Sequence, residues 1–327
     1  MNIKKSITEL VGNTPLVELT NFEEKHNLKA KILGKLEYFN PSGSVKDRAA
    51  LAMLEDAEKK GLIKAGSTII DSTSGNTGIA LAALAHAKKM EFEPFLEPGV
   101  SIERKQIFDA FGLNSYGFED IPGLGDLSNG LVLEDLINGM QQYADEKGYF
   151  YINQTINQAN QEAHYRTTAP EIWRDTDGQV DIFVAMGGTA GTLVGCGRYL
   201  REKNPNIQII GVQPHEDSRP EGKNFTGHII DGVLPLSGVP QKLVPPMITN
   251  NLDNGFKFDE VIDVKAEDAY KTAKELTHTD GIFLGTSGAS ALTAAKIVAE
   301  RPENAGKNIV VVFADNGMKY LSTDLYK

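Results

Sequence analysis

One local pattern, repeated along the chain, constrains the fold most. A short, nearly all-apolar run meets a turn rich in glycine and hydroxyls, and a helical pattern follows. Asp181–Met186 leads into Gly187-Gly188-Thr189-Ala190-Gly191-Thr192 and a helix reaching Lys203. Thr68–Asp71 leads likewise into Ser72-Thr73-Ser74-Gly75-Asn76-Thr77-Gly78, and a helix starting near Thr77 carries Ala80, Leu81 and Leu84. Lys31–Tyr38, Ile207–Val212 and Ile309–Phe313 read as further strands. Asp47–Lys60 puts Ala50, Leu54 and Ala57 on one helical face, with Gly61 as its stop, and Ala269, Ala273 and Leu276 mark a late amphipathic helix. Apolar strands alternating with helices predict an α/β fold whose mainly parallel sheets are covered by helices. Glu119–Gly130 and the proline-rich Leu234–Pro246 read as surface loops, not linkers.

A length of 327 residues predicts two domains. The formal net charge, 33 − 44 = −11, argues against nucleic acid as a partner, because phosphate contacts need a basic patch. Cys196 is the only cysteine, so no internal disulfide can form. Its apolar Leu-Val-Gly-Cys-Gly setting predicts a buried structural thiol. Met1–Leu10 has no apolar core of the kind a signal peptide needs, and no run approaches the roughly 18 apolar residues of a membrane span. A cytoplasmic location away from membranes is the expectation. The histidines show no metal-ligand spacing, so no metal is expected, and His164 reads as structural.

The chemistry centres on Asn40-Pro41-Ser42-Gly43-Ser44-Val45-Lys46-Asp47-Arg48. A tight turn here delivers Lys46 to a helix start. There the positive end of the helix dipole, with Arg48 close by, would favour the neutral, nucleophilic amine. The Ser72–Gly78 turn offers hydroxyls, an amide and backbone N–H groups, which suit a carboxylate. The Gly187–Thr192 turn suits a phosphate, yet it lacks both the lysine of a P-loop and the spacing of a dinucleotide fingerprint. Gly285-Thr286-Ser287-Gly288-Ala289-Ser290 is a fourth turn of this kind.

Taken in order, these segments resemble the cysteine synthase and cystathionine β-synthase family, the β-replacement branch of fold-type II pyridoxal-phosphate (PLP) enzymes. The resemblance also covers Val11-Gly12-Asn13-Thr14-Pro15-Leu16, Gln154-Thr155-Ile156-Asn157-Gln158-Ala159-Asn160, Pro170-Glu171-Ile172-Trp173 and Tyr320-Leu321-Ser322-Thr323. It implies two three-layer αβα domains with mainly parallel sheets. Residues 1–40 and 153–327 would form a larger, PLP-phosphate-binding domain, and 41–152 a smaller, mobile substrate domain. By the same resemblance Lys46 is the Schiff-base lysine that also carries the α-proton. Asn76 would sit beside the PLP 3-hydroxyl. Gly188, Thr189, Ala190, Gly191 and Thr192 would cradle its phosphate, and Ser287 would meet the pyridine nitrogen. Thr73, Ser74, Thr77 and Gln154 would bind the substrate carboxylate. The implied reaction is replacement at Cβ of a small L-amino acid through an α-aminoacrylate intermediate, with sulfide, a thiol or water as co-substrate. A homodimer is implied as well, with serine acetyltransferase open as a protein partner.

The chain departs from the cysteine synthase pattern at Gly227-His228-Ile229-Ile230-Asp231-Gly232-Val233-Leu234. Cysteine synthases usually carry an uncharged residue, often Gln, before this Gly. Cystathionine β-synthases and the cysteine (hydroxyl) lyases carry an acid there. Acetate leaves without protonation, whereas thiolate and hydroxide leave poorly and water attacks poorly. A carboxylate would help those reactions about 10²–10⁴-fold. The expectation is therefore conversion of L-cysteine and water to L-serine and hydrogen sulfide, with Asp231 handling a proton. Cysteine synthase, cystathionine β-synthase and a non-catalytic partner-binding homologue are the alternatives. Ala190-Gly191, Gly288-Ala289 and Asp315-Asn316-Gly317 are lesser departures from the family pattern, and the wider Gly117–Gly130 stretch does not follow it.

Overall fold

The computed structural model describes residues 1, 3–73, 75–124, 132–220 and 222–327. Among them, ten strands form two sheets: β1 Leu16–Glu18, β2 Lys31–Leu36, β3 Thr68–Thr73, β4 Glu91–Leu96, β5 Tyr116–Gly117, β6 Phe150–Tyr151, β7 Ile182–Met186, β8 Gln208–Pro214, β9 Glu260–Val264 and β10 Asn308–Phe313. The larger sheet has the order β1-β2-β10-β7-β8-β9, and every pairing in it is parallel except β1 with β2. The smaller sheet, β5-β4-β3-β6, is wholly parallel. The chain thus builds one edge of the large sheet, makes the small sheet, and returns to finish the large one.

Strands buried on both faces explain the near-continuous apolar runs. In β7, Ile182 and Val184 pack with β10 residues Ile309, Val311 and Phe313 against Ala273, Leu276, Leu292 and Ala295 of the Ala266–Thr279 and Thr286–Ala299 helices. The alternate residues Phe183, Ala185, Val310 and Val312 face Leu193, Val194 and Leu200 of the Gly191–Lys203 helix on the other side. The small sheet repeats the plan. Ile69 and Phe92 pack on the Lys46–Lys59 and Asn76–Ala87 helices, while Ile70, Phe95 and Tyr151 pack on Leu136, Met140 and Ala144 of the Leu133–Lys147 helix.

Several short strands were not legible beforehand. β4 carries two glutamates and an interior proline, Pro94, paired opposite Asp71 of β3. A proline within a run argues against a central strand. β5 and β6 are two residues long each, too short to show a period. The strand expected to reach Tyr38 ends at Leu36, where Glu37–Phe39 turns into a 3₁₀ helix. Glu37 is there fully buried, accepting hydrogen bonds from Thr14 and Arg48. Part of the Gly117–Gly130 loop lies outside the described residues.

Candidate active site

In parallel α/β sheets, ligands gather beyond the carboxyl ends of the strands. Here the ends of β3, β4, β7 and β10 face one cleft of ≈ 970 Å³, counted out to its solvent mouth. Lys46, Asn76, Thr77, Gln154, Gly188, Thr189, Asp231 and Ser287 line it. Thr192 joins Lys46, Gly188 and Ser287 around a smaller adjoining cavity.

Lys46 is the first residue of its helix. The Val45 N–H donates to the Ala314 carbonyl at 2.8 Å, tying the lysine turn to the end of β10. Asp47 closes the turn by accepting from the Ser42 N–H at 2.8 Å. Burial pushes the Lys46 amine below its ordinary value, and the Asp315 carboxylate opposes the shift. The sequence reading credited Arg48 with part of this effect, and the structure corrects it. The Arg48 guanidinium is buried between Glu37 and Glu171, 2.7 Å from each, so its charge is spent there. Lys35 completes that cluster, 2.9 Å from Glu171.

The Gly187–Thr192 turn is shaped by its residues. Ala190 sits in the left-handed region at φ 70° and starts a helix that has no side-chain cap. The amides of Gly191, Thr192 and Leu193 therefore have no carbonyl four residues back, and the first such bond runs from the Val194 N–H to the Ala190 carbonyl. A Cβ on Gly191 would lie 2.1 Å from Asn160 Oδ1, so the close approach of Asn160 requires glycine. Asn160 Nδ2 also donates to Thr189 Oγ1 at 2.9 Å. Thr192 Oγ1 lies 3.2 Å from His164 Nε2, and His164 Nδ1 lies 2.9 Å from Thr168 Oγ1. Burial, above all, pushes that imidazole well below its ordinary value. Free amides at a helix start, two threonine hydroxyls and a lysine amine lowered by burial form a set that fits a phosphorylated aldehyde.

Asn76 is fixed from behind: its Nδ2 donates to Asp315 Oδ2 at 2.7 Å, and its Oδ1 accepts from Lys319 Nζ at 2.9 Å. One amide N–H remains to face the cleft. Thr77 Oγ1 donates to Gln154 Oε1 at 2.6 Å, and Gln154 Nε2 donates to the Ser72 carbonyl at 2.8 Å. Thr73 differs from these. It is buried, and its hydroxyl accepts from the Gly75 and Gly78 N–H groups at 3.0 and 3.1 Å. It shapes the turn and is absent from the cleft lining. Gly75 takes φ 134°, which a side chain rarely adopts. Ser74 lies outside the described residues.

Asp231 reaches the cleft because its segment lies against the Gly187–Thr192 turn: the Leu234 N–H donates to the Gly187 carbonyl at 3.1 Å. Its own N–H donates to Thr286 Oγ1, next to Ser287, at 3.1 Å. Burial raises the Asp231 carboxyl above the usual range, and Arg104 partly offsets this from 3.5 Å. Cys196 is fully buried, and burial pushes its thiol up.

Sequence reasoning missed the corner around Asp231. Glu97, Arg104 and Tyr320 also line the cleft. The Arg104 guanidinium stacks 4.5 Å above the Tyr320 ring, and the Tyr320 hydroxyl donates to Asp315 Oδ2 at 2.7 Å. Ser101-Ile102-Glu103-Arg104 reads as the first turn of a helix, and Glu97-Pro98-Gly99 as a plain turn. The one usable signal was an acid at the end of a strand, and β4 itself was hard to see.

Comparison with known proteins agrees with this geometry. Residues 7–315 match the model of the pyridoxal-phosphate-dependent enzyme family. A cysteine synthase from Aquifex aeolicus is 42% identical over 326 residues, covering 99% of this chain and 92% of the relative. The crystal structure of a hydrogen sulfide-producing enzyme from Fusobacterium nucleatum superposes with a TM-score of 0.80 at 35% identity, covering 98% of this chain and 100% of that one. That of O-ureido-L-serine synthase does so with a TM-score of 0.84 at 33% identity, covering 99% and 95%. No helix among the described residues is long and apolar enough to cross a membrane. The chain therefore belongs to the pyridoxal-phosphate-dependent enzymes, in the cysteine synthase family.

Proposed function

We propose that this protein releases sulfide from Cβ of L-cysteine and puts water in its place, giving L-serine. Asp231 carries the reading: a carboxyl raised by burial, set in the same cleft as the lysine amine. The hydrogen sulfide-producing structural relative supports it. When bound, PLP supplies the electron sink that acidifies the Cα proton and loosens the Cβ substituent. Lys46 would hold the cofactor, and its amine, lowered by burial, removes the Cα proton and later returns it. Gly188, Thr189, Ala190, Gly191 and Thr192 would hold the phosphate, Asn76 the 3-hydroxyl, and Ser287 the ring nitrogen. A neutral hydroxyl there would leave the sink mild, which suits β-elimination over transamination. Thr77 and Gln154 bind the substrate carboxylate with Ser74, while Thr73 acts through the turn it shapes. Asp231 takes a proton from the attacking water. The unit built from residues 41–152 closes over the substrate.

The 42% identical cysteine synthase favours a second reading, synthesis of cysteine from O-acetyl-L-serine and sulfide. Incubating the PLP-loaded protein with L-cysteine alone separates the two. Equimolar serine and sulfide are expected. Turnover seen only with O-acetyl-L-serine plus sulfide would overturn the proposal in favour of the synthase.

A further inference from the structure

The proposed reaction needs two opposite proton transfers at Cβ. The departing sulfur must gain a proton, and the incoming water must lose one. Asp231 alone could serve one of these at a time, and the cleft holds a second carboxyl. Glu97 directly follows β4, and its N–H donates to the Thr73 carbonyl at 3.2 Å, which fixes it beside the Ser72–Gly78 turn. Its side chain lines the same cleft as Lys46, Gln154 and Asp231. Protein packs densely around it, yet it keeps part of its surface open to the cleft. Among the described residues its carboxyl makes no hydrogen bond, unlike the carboxylates of the buried Arg48 cluster. The charged groups facing it are Arg104, from the Ile102–Ala110 helix, and Asp231, from the segment on the phosphate turn. Tyr320 and Asp315 stand behind Arg104.

We infer that Glu97 is the second proton-carrying group of this site, working as a pair with Asp231 across the Arg104 guanidinium. The assignment rests on the cysteine-to-serine reading. Glu97 enters protonated and Asp231 ionised. As the Cβ–S bond breaks, the sulfur keeps the electron pair and takes the Glu97 proton, leaving as a neutral sulfide. As water's oxygen bonds to Cβ, Asp231 takes its proton. The pair ends with its one proton on Asp231 instead of Glu97, and transfer back resets it with no net gain or loss. Two interacting carboxyls beside one cation divide their protons in this way, as like charges cannot both ionise cheaply. The carboxyl environments agree: burial and Asp231 push Glu97 up to about 7, against the pull of Arg104.

The test is Glu97→Gln in the PLP-loaded protein, assayed for sulfide release from L-cysteine and for acetate release from O-acetyl-L-serine. Acetate leaves without a proton, so only the first reaction needs Glu97. Sulfide release should slow about 10²-fold while acetate release stays within about threefold of wild type. The alkaline loss of kcat/KM for cysteine near pH 7 should vanish in this variant, and Glu97→Asp should recover part of the rate. Equal slowing of both reactions, or an unchanged pH profile, would overturn the assignment. A wild-type protein that releases no sulfide from cysteine would instead sink the functional reading, and this pair with it.

Discussion

Two arginines, each set near the start of a helix in the small-sheet region, are used in opposite ways. Arg48 lies between Glu37 and Glu171, fully buried, and its Nε, Nη1 and Nη2 all donate to carboxylate oxygens at 2.7–2.9 Å. Lys35 and Thr14 complete that cluster and leave no opening to the cleft. Arg104 faces Asp231 at a looser 3.5 Å and stacks on Tyr320, and Asp231 and Glu97 look into open space. A buried ion cluster with every donor matched holds its charges ionised and resists change. Carboxyls raised by burial at the edge of a cleft can gain or lose protons there. Charge beside a cleft therefore says little about chemistry until its hydrogen bonds are counted.

Lys46 sits between the two clusters, two residues before Arg48 and facing the cleft that Asp231 lines. Lys46→Ala should lower turnover of cysteine by about 10⁴-fold, the upper end for a lost proton carrier, with the melting temperature held within a few degrees. A matching loss of stability would mean that the lysine belongs with the closed cluster.

Arg48→Ala tests that closed cluster. It strands Glu37 and Glu171 and should cost about 3–5 kcal/mol in urea unfolding, as breaking a buried pair does. The folded fraction should stay active. A variant with full stability but no turnover would reverse the contrast.

Asp231→Asn should do the converse. Serine formation from cysteine should fall about 10²-fold, while stability shifts by less than about 1 kcal/mol. Wild-type turnover in this variant would remove Asp231 from the mechanism.

The response to pH differs in sign between the clusters. Arg48 and Lys35 hold Glu171 down to about 2 against its ordinary 4.5. Its contribution to stability is complete above about pH 4.5 and is lost as the pH falls toward 2. Glu97 lies at about 7, above its ordinary 4.5, so its share is present below pH 4.5 and is lost as the pH rises through 7. Melting curves of the wild type and of Glu171→Gln and Glu97→Gln between pH 3 and pH 8 separate the two. Each variant should flatten its own limb alone.

The sequence by itself determined the parallel α/β class, the family, and the turns that hold Lys46, Asn76 and Gly188–Thr192. Each is a local matter: a buried strand must be apolar on both faces, and a phosphate turn needs glycine and hydroxyls in immediate succession. Ser287 and Gln154, which line the cleft, were singled out only through order along the chain, since neither has a local signature. Tertiary structure alone decided three things. Arg48, two residues from Lys46, turned out to serve Glu37 and Glu171, partners 11 and 123 residues away. The Lys46 amine is lowered by burial, which depends on every element packed around it. Glu97, Arg104 and Asp231 meet although they come from a strand end, a helix start and a loop more than a hundred residues on. Proton chemistry depends on distances and solvent access between such groups, and chain order encodes neither.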